Sequence, residues 1–159
     1  MMVGPLLGPG AGGSPPAAAR DGGERMRSMS GRLDQSVLAR LDREPLAWLC
    51  TLRRDGSPHQ TPVWFVFHDS TLWICSAEKN RKVRNVLLDS RVSVALEGGS
   101  APVVAEGRVT LRPCDFSPDV TERFRTKYDW DISLPNEHEG PRVLLEIPVA
   151  RWLLAGVAQ

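Results

Sequence analysis

The chain has 159 residues, an apolar fraction of 42% and a net charge of +1. This leaves room for one compact domain of ordinary globular composition and excludes partners that recognise a bulk-charged protein, nucleic acid above all. No apolar run approaches the roughly 18 residues of a membrane span, so no membrane partner is expected.

Residues 1–30 are rich in Gly, Pro and Ala, with Val3, Leu6 and Leu7 the only large apolar side chains between Met2 and Met26. Such a segment buries too little to offset the entropy of ordering it, and it is expected to be a disordered tail ahead of a domain over 31–159. It lacks the basic start and unbroken apolar run of a secretory signal.

Order is expected to begin with a helix in which Leu33, Val37, Leu38 and Leu41 share a face, ending before Pro45. The period then changes. Leu46–Arg53 reads as a strand, Arg54-Asp55-Gly56-Ser57 as a turn, Pro58–His68 as a second strand and Thr71–Ser76 as a third. Together they predict a three-stranded antiparallel meander. A polar helix follows over about Glu78–Asp89, with Val83, Val86 and Leu87 facing inward. Strands are expected at Arg91–Glu97 and Pro102–Arg112 around a Gly98-Gly99-Ser100 turn. Ser117 as N-cap, with Pro118 and Asp119 behind it, opens a helix to Tyr128. A last strand or strand pair covers Arg142–Leu154. Six or seven strands with few helices indicate a mainly β fold, an antiparallel β-barrel with α-helices.

The three cysteines, Cys50, Cys75 and Cys114, lack the paired spacing of a zinc site. Free thiols fit a reducing cytoplasm. There is no His-Glu-x-x-His pattern for a metal and no Gly-x-Ser-x-Gly elbow for a serine hydrolase. No side chain is singled out as a catalytic group or proton donor.

The informative stretch is Cys75–Asn85. Lys79, Arg81, Lys82 and Arg84 crowd the start of a helix, with Ser76 as its candidate N-cap. Backbone N–H groups, the helix dipole and these cations suit a phosphate or carboxylate. Lys79 with Lys82, and Arg81 with Arg84, point in different directions at helical spacing, so one anion is expected to meet one pair. A solvated basic face is the bland alternative. Trp64 and Trp152 are the tryptophans expected near a ring-binding pocket, and Glu106 reads as a structural charge.

The ordered series Leu49-Cys50-Thr51-Leu52-Arg53-Arg54-Asp55-Gly56-Ser57-Pro58-His59, Thr61-Pro62-Val63-Trp64-Phe65, Lys82-Val83-Arg84-Asn85, Asp89-Ser90-Arg91-Val92-Ser93 and Val103-Val104-Ala105-Glu106-Gly107 resembles the pyridoxamine 5'-phosphate oxidase-like split-barrel superfamily. Within it, the chain looks like the flavin/deazaflavin oxidoreductases that use coenzyme F-420. The resemblance implies an FMN-binding type of split β-barrel and a homodimer with the cofactor at the subunit interface. It implies that the strand with His59, Gln60, Thr61, Pro62, Val63 and Trp64 runs beside the ring. Ser76, Asn80, Arg81, Lys82 and Asn85 would hold the phosphate, with Lys79 and Arg84 on the charged tail of F-420. The implied reaction is hydride transfer between F-420 and a small-molecule substrate. The alternatives are an FMN-dependent oxidoreductase on the same pocket, and a non-catalytic flavin/deazaflavin carrier or haem- or flavin-binding sensor. The substrate-phosphate motif at the C-terminal end of true pyridoxamine phosphate oxidases has no clear match.

Overall fold

A computed structural model of the chain describes residues 32–134 and 137–157. The tail expected over 1–30 lies outside them. Eight strands form one curled antiparallel sheet in the order β2-β1-β5-β6-β8-β4-β3, with β7 also on β8. The strands are β1 (Ala47–Leu52), β2 (Pro58–Val63), β3 (Val66–His68), β4 (Thr71–Ala77), β5 (Arg91–Leu96), β6 (Val103–Arg108), β7 (Thr110–Pro113) and β8 (Arg142–Ala155). Three helices, α1 (Gln35–Arg43), α2 (Arg81–Leu88) and α3 (Pro118–Tyr128), pack at its margins. This is a split barrel, the mainly β architecture expected. Among the described residues no helix is long and apolar enough to cross a membrane.

The helices begin and end where their chemistry dictates. Asp34 caps α1 by accepting from the Ser36 N–H at 2.8 Å, and Val37 and Leu41 enter the core. Arg40 then fastens α1 to the β5–β6 turn, donating to the carbonyls of Glu97 and Ala101. Ser117 caps α3, which buries Val120 and Phe124 and ends at Asp129 in the left-handed region.

Three expectations are corrected. The strand expected over Pro58–His68 breaks at Trp64-Phe65, because Phe65 turns into the core with no exposed surface while Trp64 stays outside. The backbone freed at the break is stitched by Tyr128. Its hydroxyl accepts from the Phe65 N–H at 2.9 Å and lies 2.8 Å from the Phe65 carbonyl oxygen. The meander is therefore two hairpins: β1 pairs β2, β3 pairs β4, and β4 continues onto β8 rather than β2. The strand expected over Pro102–Arg112 likewise divides into β6 and β7 at buried Val109, whose N–H bonds the Ser90 carbonyl at 2.8 Å. Finally, Leu87 of α2 faces outward at 68% exposed, and Asn85 is buried in its stead.

The long strand β8 holds the two halves of the sheet together. Its first half pairs with β4 and β7, its second with β6. Gly107 sits at one of two register shifts between β6 and β8, where a Cβ would lie 2.5 Å from the Pro148 carbonyl oxygen. Only a residue without a side chain permits that approach. Along β4, Leu72 and Ile74 join the barrel core with Leu49, Phe65 and Leu145, while Trp73 and Cys75 face a second cluster around Phe124 and Ile132.

Candidate functional site

At the open end of the barrel the end of β2, the end of β4 and the start of α2 converge on a cavity of about 360 Å³. Pro62, Val63 and Trp64 form one wall, Ser76, Asn80 and Lys82 another, and Trp130 and Arg142 stand across from them. Residues from both candidate segments, ring-side and phosphate-side, thus line a single space.

The aromatic wall is a stack. Trp64, 46% exposed, lies parallel to Tyr128 with centroids 4.7 Å apart, and Trp130 meets its edge at 5.7 Å. An indole left that open, and held in place from behind, offers a face to a planar ligand. Burial drives the Tyr128 hydroxyl up to about 12, so it remains a neutral donor that braces the wall. Trp152, expected near such a pocket, packs edge-on against Phe67 beside the barrel core instead, with centroids 5.9 Å apart. Trp130 takes the place expected for it.

The polar wall differs in detail from the helix start expected. The turn Glu78–Asn80 delays α2 to Arg81, so Asn80 and not Ser76 is the N-cap. Asn80 makes no side-chain cap, since its amide donates to the Ser76 Oγ at 3.1 Å. The first-turn N–H groups of α2 are thereby left without a side-chain acceptor, the arrangement that receives an anion. Lys82 is half-buried and its ammonium is held below the ordinary lysine value by desolvation, with Glu139 opposing the shift.

His59 stands beside this helix start. Desolvation, followed by the nearby charges of Arg53, Lys82 and Arg81, holds its imidazole below the usual value. Its Nδ1 is buried without a hydrogen-bond partner among the described residues. A buried orphan nitrogen among three cations is a costly arrangement that a phosphate would relieve. The donor set therefore fits an anionic group such as a cofactor phosphate. Arg53 was not singled out in the sequence, although it flanks the β1–β2 turn; Arg81 and Lys82 act on the same imidazole even though helical spacing separated them.

The remaining candidates are placed as follows. Asn85, only 3% exposed, donates its amide to the Thr51 Oγ1 at 2.9 Å and ties α2 to β1. Lys79 donates to the His138 carbonyl at 3.2 Å, outside the cavity, and Arg84 is exposed. Gln60 lies opposite Cys50 and Thr61 opposite Leu49 on β1, an alternation that puts them on opposite faces of β2. Since β2 is an edge strand, one side of its backbone is unpaired by the sheet. Glu106 bonds Arg151 on the neighbouring strand. Cys75 lines the cavity, but burial pushes its thiol up to about 12, with Arg142 pulling the other way.

A curled antiparallel split barrel with an anion-receptive helix start at its open end defines a class of small ligand-binding barrels. Residues 33–155 match the pyridoxamine 5'-phosphate oxidase family, and the chain belongs to that family. No curated protein matches it in sequence. Solved structures share its fold at low identity. One described as an F420 reductase is 19% identical with a TM-score of 0.62, covering 76% of this chain and 98% of that one. HupZ of Group A Streptococcus is 13% identical with a TM-score of 0.60, covering 80% and 99%. A FAD-binding protein from Mesorhizobium loti is 21% identical with a TM-score of 0.57, covering 76% and 92%.

Proposed function

We propose that the cavity binds coenzyme F-420 and that the chain is an oxidoreductase passing a hydride between that cofactor and a small organic acceptor. The observation that carries this reading is the single cavity joining the open Trp64 face to the start of α2. The bound deazaflavin would supply the hydride chemistry, which needs no protein nucleophile. The protein's part is to orient and to exclude water. Lys82, Arg81 and the first-turn N–H groups would hold the phosphate, His59 Nδ1 would gain a partner, and the β2 edge would run along the ring. Lys79 and Arg84, outside the cavity, suit the carboxylates of the F-420 tail.

A second reading, FMN in the same cavity, is favoured by the fact that Lys82 alone of the four cations lines it. One cation at the helix start matches one phosphate. The two readings separate on charge. Neutralising Lys79 and Arg84 is expected to weaken F-420 binding about tenfold, more at low salt, while sparing FMN. Equal losses for both cofactors, or none for either, would sink the tail assignment. A carrier would bind the cofactor tightly and turn over no acceptor.

The working unit in this proposal is a homodimer. The outer face of β2, β1, β5 and β6 presents Trp48, Cys50, Leu52, Ala95 and Val104 with no helix over it among the described residues, and Cys50 and Leu52 line a shallow cavity of about 740 Å³ there. A sheet face with apolar residues rimmed by Arg91, Glu106, Arg108 and Arg151 suits a protein partner, and a second copy offers the same face in return.

A further inference from the structure

The mouth of the cavity holds a charged group that phosphate binding does not use. Arg142 is the first residue of β8 and pairs with Ala77 at the end of β4, so its position at the rim is fixed by the sheet. Its side chain is nine-tenths buried, and the guanidinium lies over the Trp130 ring at 4.8 Å. Nη1 donates to the Leu134 carbonyl at 2.8 Å and to that of Ile132 at 3.5 Å. Nε is buried and has no partner among the described residues.

These contacts secure one edge of the guanidinium, and the other makes no hydrogen bond among the described residues. That second edge carries the parallel Nε–H and Nη2–H pair, the fork that accepts a carboxylate bidentately. The carboxylate beside it belongs to Glu139, 4.0 Å from Nη2 and itself more than half exposed. That separation is too long for a hydrogen bond. Glu139 also acts on Lys82 from the other side of the cavity, so its charge stands between the two cations. A buried guanidinium with an open fork is an unfinished site, because such a charge is normally both paired and hydrogen-bonded.

We infer that the Nε–Nη2 edge of Arg142 receives the carboxylate of a planar organic acceptor lying beside the Trp64–Trp130 pair, in place of Glu139. The inference rests on the cofactor reading for the word acceptor, but the anion site stands on Arg142 alone. Within a largely polar lining, the aromatic neighbours Trp64 and Trp130 favour an aromatic or conjugated acid over a small inorganic anion. Glu139 acts as an internal competitor that keeps neutral or weakly held molecules from gaining from the charge.

Benzoate and its uncharged counterpart benzamide serve as probes, titrated into the full chain by calorimetry and tryptophan fluorescence, with FMN and F-420 titrated separately. Benzoate is expected to bind at least about tenfold more tightly than benzamide, the worth of one charge-assisted bond. Arg142→Gln should erase that preference, with benzoate falling to the affinity of benzamide. Glu139→Gln should tighten benzoate several-fold. If Arg142→Gln loosens the loop it anchors and does not fold, Arg142→Lys keeps the charge without the fork and should likewise lose the preference. Equal binding of the two probes, a benzoate preference that survives in Arg142→Gln, or unchanged benzoate affinity in Glu139→Gln would overturn the inference. Benzoate held through Arg142 by a chain that binds neither FMN nor F-420 would refute the cofactor reading and keep the anion site.

Discussion

The two sides of β4 are built on opposite principles. On the barrel side, Leu72 and Ile74 meet Leu49, Phe65, Leu145 and Ile147, all apolar and all out of reach of solvent. On the other side, Trp73 and Cys75 pack on a smaller buried cluster around Phe124, Ile132 and Leu144, whose margin carries half-exposed rings, a buried guanidinium and nitrogens without partners among the described residues. The first side gains free energy from burial; the second surrenders some of it to keep polar groups in readiness. Stability and recognition are thus assigned to alternate residues of one strand.

The sharpest way to break this division is Phe65→Ala. Phe65 is fully buried, and its removal is expected to cost about 3–5 kcal/mol in urea or thermal unfolding. A loss under about 1 kcal/mol would mean that the barrel side is not the stabilising one.

Trp64→Ala tests the other side. Losing its stack on Tyr128 should cost only about 0.5–1.5 kcal/mol, yet cofactor binding should fall at least about tenfold. Unaltered binding would remove the aromatic wall from the site.

The smallest effect concerns Lys127. Its Nζ lies 3.8 Å over the Phe65 ring and donates to the Leu41 carbonyl at 3.0 Å, and burial pushes it down to about 8. The unfolded chain therefore binds more protons above that value, so stability should rise as pH climbs from about 8 towards the ordinary lysine value. The gain is absent below pH 8, where both states are charged. Lys127→Met is expected to flatten that part of the pH–Tm profile by a degree or so, relative to the parent chain, the order of a half-exposed charge. An identical alkaline rise in both proteins would assign it to another group.

What could be read in the sequence follows the same partition. The barrel core declares itself through period-two strands, and the helices through Ser117-Pro118 and the Val37–Leu41 spacing. The breaks at Trp64-Phe65 and Val109 did not, because the first depends on a tyrosine hydroxyl 63 residues away and the second on the distant carbonyl of Ser90. The cavity's near wall was legible, since Pro62–Trp64 and Ser76–Lys82 sit in recognisable runs. Its far wall was not. Trp130, Glu139 and Arg142 come from a polar connection with no periodicity, and only the pairing of β8 with β4 brings them to the rim. Even within the legible run, spacing alone could not tell that Asn85 spends its amide on Thr51.

One feature of the sheet reaches further. Because β8 hydrogen-bonds in turn to β4, β7 and β6, the part of the sheet carrying β4 and the part carrying β6 cannot separate without releasing it. Its central amides, around Leu144 and Leu145, should exchange with deuterated solvent only when the whole barrel opens, at a rate set by the global unfolding free energy. The amides at the start of α2, joined to the barrel mainly through a few side chains, should exchange orders of magnitude sooner. The slow-exchanging set would then trace the course of β8 through the barrel, and the fast-exchanging set would mark the mouth through which a ligand enters.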